Sequence, residues 1–130
     1  MNTRRLFLVD DDIDEQWIFN TALNAVDPTI QLSGAANGQD AIRQLAGSMA
    51  QPDVIFLDLN MPVMNGLECL QQLKSNPGLS GIPTIMYSTT ADPLTISRVR
   101  AMGAEDFITK PYNFDELVDK LRSVLGRIVA

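Results

Sequence analysis

Residues that could bind a divalent cation and a phosphoryl group occur at four places in this chain, each time directly after a short apolar run. Carboxylates are preferred ligands of hard divalent cations, and a carboxylate can also act as a nucleophile and form an aspartyl-phosphate. A hydroxyl and an ammonium group can stabilise the oxygens of a transferred phosphoryl group. The residues in question are, in chain order, Asp10-Asp11-Asp12, Asp58, Ser88 and Lys110.

Short apolar runs alternate with longer segments in which apolar residues recur every three or four positions. The runs are typical of buried strands, and the longer segments are typical of amphipathic helices. This alternation predicts a parallel sheet with helices on both faces, whose strand carboxyl ends meet at the edge where open α/β sheets bind ligands. The predicted strands are residues 6–9, 31–36, 54–57, 84–87 and 106–109, of which the second is a candidate edge strand and the third a candidate central strand.

Five helices are predicted, and three of them carry features that the structure can test. The first is expected from about Asp14 to Val26, with Trp17 beside a buried stripe of Ile18, Phe19, Ala22, Leu23 and Val26. The fourth is predicted to have Asp92 as its N-cap and Pro93 at its first position, and its poor apolar stripe predicts loose packing. Asn113 is predicted to cap the last helix, which has a clear apolar face.

Composition and charge exclude several classes of function. The chain has 130 residues, of which 45% are apolar and 20% charged, so we expect one soluble domain over residues 1–130 and no effector domain. No apolar run approaches the roughly 20 residues of a membrane span. A net charge of −6 without a basic run argues against a nucleic-acid partner. The chain has no histidine, and its single cysteine, Cys69, is expected in the core and fits a reducing, cytoplasmic compartment.

The clustered carboxylates suit a hard metal ion. Carboxylates at neighbouring strand ends repel each other, and a divalent cation relieves this repulsion. Oxygen ligands and the absence of histidine favour Mg²⁺, or Mn²⁺, over zinc. A carboxylate oxygen of Asp58 would remain free to act as the nucleophile. The cation could then stabilise one phosphoryl oxygen, Lys110 a second, and the Ser88 hydroxyl with nearby backbone N–H groups a third.

In the order and spacing of these residues, the chain resembles the receiver domain of bacterial two-component response regulators over essentially its whole length. The resemblance implies a flavodoxin-like (β/α)5 fold, a doubly wound five-stranded parallel sheet with strand order 2-1-3-4-5. The motifs that carry it are the acid pair in Leu8-Val9-Asp10-Asp11, the phosphoacceptor motif from Asp58 to Gly66, Ser88 at the Ser/Thr switch position, Gly103-Ala104 and Lys110-Pro111.

The resemblance also implies a role for each residue of the site. Asp58 is expected to accept the phosphoryl group from the phosphohistidine of a histidine kinase. Asp11, Asp58 and the backbone carbonyl of Asn60 are expected to bind Mg²⁺ directly, and Asp10 through a water molecule. Ser88 and Lys110 are expected to contact the phosphoryl group, Phe107 to act as an aromatic switch residue, and the Lys110–Pro111 peptide bond to be cis.

The resemblance further implies what kind of protein this is. We expect a stand-alone, cytoplasmic phosphoacceptor with weak self-catalysed phosphorylation and dephosphorylation, and not a true enzyme. Its partners would be a sensor histidine kinase or phosphotransfer protein and a downstream protein that the sequence does not identify. A monomer or a weak dimer is expected, and neither nucleic acid nor a membrane is an expected partner.

Some positions depart from the common pattern of the family, and two others bear on phosphoryl lifetime. Thr89 follows the switch residue, where a small residue is usual, and its branched side chain would crowd the acceptor. Phe107 lacks the hydroxyl of a tyrosine, so a rotamer switch would rely on packing. Asn60 and Thr90 occupy the positions that set phosphoryl lifetime, and neither carries a charge to orient a water molecule. We therefore predict that the phosphoryl group is lost over minutes.

Three alternatives remain open at this point. The first is an Mg²⁺-dependent phosphatase that forms an aspartyl-phosphate, although enzymes of the haloacid dehalogenase type have an acid where this chain has Asn60. The second is a docking module that acts without phosphorylation, against which the complete set of site residues argues. The third is a nucleotide-binding flavodoxin-like protein, which is disfavoured because the first strand leads into aspartates and not into a glycine-rich loop.

Overall fold

A computed structural model describes residues 4–61, 64–89 and 92–128 of the chain. Strands and helices alternate along these residues, as the apolar pattern predicts. Five strands are present: β1 (Arg5–Val9), β2 (Gln31–Ala35), β3 (Val54–Asp58), β4 (Thr84–Ser88) and β5 (Asp106–Thr109). The helices that follow them are α1 (Ile13–Val26), α2 (Gly38–Ala46), α3 (Gly66–Ser75), α4 (Pro93–Ala101) and α5 (Phe114–Ile128).

All five strands are parallel and form one sheet in the order β2-β1-β3-β4-β5, which confirms the predicted fold and the edge position of β2. The register aligns the carboxyl ends of the central strands. Val9 of β1 lies opposite Leu57 of β3, so Asp10 and Asp58 follow at the same level. Ser88 of β4 lies opposite Thr109 of β5, which places Lys110 next to it. The predicted site residues therefore begin on adjacent strand ends.

A hydrophobic core lies on each face of the sheet, because alternate residues of a strand point to opposite faces. Leu6 and Leu8 of β1 pack into the core shared with α1 and α5, and Phe7 and Val9 pack into the core shared with α2, α3 and α4. Every residue of β3 is buried, as expected of a central strand in a parallel sheet.

Three aromatic rings join α1 to the middle of the sheet. Phe19 contacts Phe56 and Tyr87 with ring centroids 5.1 and 5.7 Å apart, and both pairs are edge-to-face. Phe56 and Tyr87 are themselves 6.5 Å apart. Such pairs stabilise a core beyond the area they bury. The first helix is thereby fixed above strands β3 and β4, close to the strand ends that carry the predicted site.

The predicted stripe of α1 is correct in its centre and wrong at one edge. Phe19, Ala22 and Leu23 are buried, whereas Ile18 is 42% exposed. Successive residues of an α-helix are turned by about 100°, so Ile18 lies at the margin of a face that is centred on Phe19. Trp17 is further from the core and is 69% exposed.

The fourth helix is the most weakly packed, as predicted. Val99 is its one buried residue, and Leu94 is 80% exposed. The side chain of Asp92 caps the helix by accepting a hydrogen bond from the Leu94 N–H, and Pro93 occupies the first position. Asn113 likewise accepts from the Glu116 N–H at the start of α5. None of the helices in the described ranges is both long and apolar enough to cross a lipid bilayer.

Cys69 lies on the buried face of α3, as predicted. Its Sγ atom lies 3.9 Å from the Gly38 carbonyl oxygen, and burial raises the pKa of the thiol to about 12. A thiol with so high a pKa is a poor nucleophile. Cys69 therefore belongs to the packing between α2 and α3.

Candidate functional site

Asp10 lies directly after β1 and is fully buried. Its N–H donates to the Ala35 carbonyl, which fixes the chain against β2, and its Oδ1 accepts from the Asp12 N–H at 2.9 Å. Its other oxygen, Oδ2, has no hydrogen-bond partner among the described residues. Burial raises the pKa of this carboxyl from 3.8 to about 7. A buried carboxylate oxygen without a partner is a site where a bound cation would be stabilising.

Asp58 is the last residue of β3 and is 3% exposed. Its Oδ1 accepts from the Asn60 N–H at 3.1 Å, and its Oδ2 lies 3.3 Å from Nζ of Lys110. Burial raises the pKa of the carboxyl, although the charge of Lys110 opposes this effect. Asp58 is therefore held rigidly, with one oxygen beside an ammonium group.

Lys110 follows β5, and its N–H donates to the Ser88 carbonyl at 2.7 Å. Three carboxylates surround its ammonium group: Nζ lies 2.5 Å from Glu15, 3.3 Å from Asp58 and 3.8 Å from Asp10. Burial alone would lower the pKa of Lys110, but the hydrogen bond to Glu15 and the three negative charges raise it. One positive charge therefore faces three acidic groups, an imbalance that a divalent cation would offset.

The Lys110–Pro111 peptide bond is trans, so the expectation of a cis bond was wrong: the described residues contain no cis peptide bond. The trans form of an X–Pro bond is the more stable by about 0.5–1 kcal/mol. The backbone hydrogen bond to Ser88 holds the start of the loop, and the long Lys110 side chain reaches Asp58 from this trans backbone.

Ser88 and Asn60 lie on the other side of Asp58. Ser88 is fully buried at the end of β4, and its Oγ accepts a hydrogen bond from Nδ2 of Asn60 at 3.4 Å. The carboxylate of Asp58, the hydroxyl of Ser88 and the ammonium of Lys110 are thus brought together on one edge of the sheet, as the sequence predicted.

The loop between β3 and α3 requires a glycine where it returns to the sheet. The Gly66 N–H donates to the Leu59 carbonyl at 2.9 Å. A Cβ atom at this position would lie 2.5 Å from the Asp58 carbonyl oxygen and 2.6 Å from Cα of Leu59. Asn65 caps α3 by accepting from the Glu68 N–H. Gly66 therefore lets the chain turn closely behind Asp58.

Three carboxylates of this edge could hold a metal ion. Ligand oxygens of Asp10, Glu15 and Asp58 all lie within 4.8 Å of one another. All three donors are oxygens, and one of them, Oδ2 of Asp10, accepts no hydrogen bond from the described residues, so this set fits Mg²⁺ or Mn²⁺. Asp11, which the family resemblance implies as a direct ligand, is exposed and lies outside this group.

Glu15 and Tyr87 are parts of the site that the sequence analysis did not identify. Glu15 stands three residues after the N-cap Asp12, where a glutamate usually closes a capping box. Its side chain instead reaches Lys110, a contact 95 residues away in the chain. Tyr87 lies in β4, and Nζ of Lys110 is 5.1 Å from the centre of its ring. The sequence offered one indication of their role: Glu15 follows the end of β1 closely, and Tyr87 lies next to the end of β4, so both are near the carboxyl edge of the sheet.

The remaining predicted switch residues lie at the margins of the site. Phe107 is half-buried and packs against the core that contains Met86 and Val99. Thr89 is exposed beyond the end of β4. Thr90 lies outside the described residues.

Comparisons with known proteins agree with this arrangement. A sequence profile of the response regulator receiver domain matches residues 6–122. A protein-glutamate methylesterase/protein-glutamine glutaminase from Carboxydothermus hydrogenoformans is 34% identical over 125 residues, which cover 94% of this chain and 35% of that protein. A CpxR homologue from Haemophilus influenzae, named as a transcriptional regulatory protein, is 29% identical over 95% of this chain and 51% of its own length. The chain thus spans about a third to a half of these relatives.

Solved structures of similar size have the same fold. The phosphorylated cyanobacterial phytochrome response regulator RcpA has a TM-score of 0.90 and 25% identity, with 99% of this chain and 96% of that chain covered. The chemotaxis protein CheY4 of Vibrio cholerae has a TM-score of 0.80 and 27% identity, with 95% and 100% covered. Together with the profile match and the four strand ends, these similarities establish that the chain belongs to the response regulator receiver domain family of two-component systems.

Proposed function

We propose that this protein accepts a phosphoryl group on Asp58 from the phosphohistidine of a sensor kinase or phosphotransfer protein. The observation that carries the proposal is the buried Asp58 carboxylate with Lys110 Nζ at 3.3 Å. Phosphoryl transfer depends chiefly on positioning and charge neutralisation, and both are supplied here by groups fixed on strand ends.

The transfer would proceed by attack of a carboxylate oxygen of Asp58 on phosphorus. The new P–O bond forms as the P–N bond to the imidazole breaks, and the electron pair of that bond leaves with the imidazole nitrogen, which takes up a proton. The ionised carboxylate is the nucleophile, and Lys110 favours that form against the effect of burial. Lys110 and the Ser88 hydroxyl are placed to contact the oxygens of the transferred group.

Asp10 and Asp58 would hold the Mg²⁺ ion, or Mn²⁺ in its place, with Glu15 within reach and Asp11 implied by the family resemblance. When bound, the ion would neutralise the clustered carboxylates and the charge on the phosphoryl oxygens. The buried Oδ2 of Asp10, which accepts no hydrogen bond from the described residues, supports this assignment.

Phosphorylation would change the surface formed by α4, β5 and α5. A phosphoryl group on Asp58 would draw Ser88 and the half-buried Phe107 inward, and the adjacent α4 is the helix with the fewest buried residues. Weakly packed elements are the ones that move in switching proteins. We propose that the protein is a cytoplasmic monomer or weak dimer, and that a downstream protein binds this surface. We also propose that the protein functions by being phosphorylated and not by turning over a substrate.

Incubation with Mg²⁺ and acetyl phosphate, followed by intact-mass measurement, tests the proposal. We expect one added phosphoryl group on the wild-type protein and none on Asp58→Asn or in the presence of EDTA. Asp53→Asn is a matched control, because Asp53 lies outside the carboxyl edge and bonds the Arg5 N–H. The proposal would be contradicted by a wild-type protein that remains unmodified, or by an Asp58→Asn variant that gains as much phosphate as the wild type.

The same samples separate the alternatives. Continuous release of inorganic phosphate from a phosphate ester would favour a phosphatase, although the residue two positions after Asp58 is the amide Asn60, which donates to Ser88. Partner capture that is equal for the wild type and Asp58→Asn would favour a docking module that acts without phosphorylation.

A further inference from the structure

The ammonium group of Lys110 has a closer partner than the proposed phosphoacceptor. Its Nζ lies 2.5 Å from Oε2 of Glu15 and 3.3 Å from Oδ2 of Asp58. Glu15 belongs to the first turn of α1, whereas Lys110 follows β5, so the contact joins the two ends of the chain across the site. Hydrogen bonds between two charged groups are among the stronger ones in proteins.

The surroundings hold Lys110 on the side of Glu15. The Lys110 side chain is 11% exposed, and its Nζ also lies 5.1 Å from the centre of the Tyr87 ring, which gives a cation–π contact. The Tyr87 ring is itself fixed against Phe19 of α1. Glu15 and Tyr87 therefore form a resting position for the ammonium, defined by residues of α1 and β4.

A phosphoryl group on Asp58 would carry a charge of about −1.5 to −2 next to this position, in place of the single negative charge of the free carboxylate. The oxygens of that group and the Glu15 carboxylate cannot both be the closest partner of one ammonium. We propose that Glu15 is a positioning residue that holds Lys110 in the unphosphorylated protein and competes with the phosphoryl oxygens for it. This inference rests on the proposed role of Asp58 as phosphoacceptor.

The substitution Glu15→Gln tests the proposal because it removes the charge and keeps the shape of the side chain. At Mg²⁺ concentrations high enough to saturate each variant, we expect Glu15→Gln to be phosphorylated by acetyl phosphate about three- to fivefold faster than the wild type. Asp14→Asn is the matched control: Asp14 lies next to Glu15 in the first turn of α1, is exposed, and is not among the three acidic partners of Lys110. Its rate should equal that of the wild type.

A second measurement reports the contact itself in the metal-free, unphosphorylated protein. The Nζ protons of a lysine held in a buried ion pair exchange slowly with water, so the Lys110 ammonium should give a resolved ¹H–¹⁵N signal. We expect this signal in the wild type and in Asp14→Asn, and a shifted signal with faster exchange in Glu15→Gln, because the variant loses the charge-assisted bond but keeps the other partners of Lys110. A merely structural role of Glu15 would leave the position and the exchange rate of the signal unchanged.

The outcomes are distinguishable. An adduct on the wild type with an unchanged rate for Glu15→Gln would overturn this inference alone. Equal acceleration by Asp14→Asn would also overturn it, because a general charge effect would then explain the result. A Lys110 signal whose position and exchange rate are the same in Glu15→Gln as in the wild type would contradict the proposed resting contact. No adduct on the wild-type protein would overturn the proposed function, and this inference with it.

Discussion

Gly66 packs directly against the main chain of Asp58: a Cβ atom at position 66 would lie 2.5 Å from the Asp58 carbonyl oxygen. The obstructing atoms belong to the backbone of the central strand and of Leu59, which cannot rotate away as a side chain can. The first residue of α3 and Asp58, the proposed phosphoacceptor, are therefore placed by the same close approach.

Gly66→Ala should lower the free energy of unfolding by about 1–3 kcal/mol, because a methyl group would push α3 away from β3. It should also slow phosphorylation of Asp58. Urea unfolding and intact mass measure the two effects. Gly81→Ala is the control, since no atom lies within 4 Å of a Cβ at Gly81. Equal stability of the Gly66 and Gly81 variants would contradict this close contact.

The contribution of Asp10 to the stability of the metal-free protein should fall as the pH rises from about 4 to 7. Burial raises the pKa of Asp10 from 3.8 to about 7, so this carboxyl binds more protons in the folded protein than in the unfolded chain in this range. Stability falls with pH wherever the folded state binds more protons. The contribution of Asp10 is thus most favourable below its ordinary pKa and is lost as the pH passes through the raised value.

Asp10→Asn should therefore be more stable than the wild type at about pH 8 in EDTA, and this advantage should vanish at about pH 4. Denaturant unfolding at the two pH values measures it, and the comparison with the wild type cancels the contributions of other groups. Asp11→Asn, at an exposed neighbouring position, should change stability by no more than about 0.5 kcal/mol. A constant difference between Asp10→Asn and the wild type would refute the assignment.

Asp106 joins α4 to α5 from the start of β5. Its two oxygens lie 3.2 Å from Arg100 and 2.6 Å from Arg127. Burial would raise the pKa of this carboxyl, but the hydrogen bond to Arg127 and the arginine charges lower it. Its contribution is therefore present above the ordinary pKa and is lost as the pH falls through the lowered value.

Asp106→Asn should lower the free energy of unfolding by about 1 kcal/mol at neutral pH, and hydrogen exchange should become faster in α4. Asp119→Asn is the control, because its ion pair with Arg122 is exposed and lies within α5. It should cost about 0.3 kcal/mol or less. If the two variants were equally stable, the connection made by Asp106 would have no energetic role.

The phosphoryl group on Asp58 should be lost over minutes. Hydrolysis needs a water molecule aligned behind phosphorus, and Asn60, whose amide donates to Ser88, offers no carboxylate to orient one. Intact mass recorded at intervals after removal of the donor gives the half-life. Asn60→Glu should shorten it, and a wild-type half-life of seconds would contradict the prediction.

The location of the site at the carboxyl edge of the sheet was predictable, because the apolar runs predict the strands and polar residues follow each run directly. Buried strands are read from short apolar runs, and parallel strands place Asp58, Ser88 and Lys110 at one edge whatever the details of the loops. The cap at Asp92 was predictable for a similar reason, since an acid followed by proline is a local signal.

Contacts between distant segments could not be read in this way. The pairing of Glu15 with Lys110 depends on how far α1 leans over the sheet, and the sequence around Glu15 indicates a capping role instead. The exposure of Ile18 depends on where α1 contacts its neighbours. In each case, packing between distant segments overrides the structure that the local sequence favours.

The fluorescence of the single tryptophan should be a poor measure of unfolding in this protein. Trp17 is 69% exposed on α1, whereas the rings of Phe19, Phe56 and Tyr87 are buried and fixed. Its emission should already be red-shifted in the native state and should change little on unfolding. Near-ultraviolet circular dichroism should instead follow the loss of the buried rings.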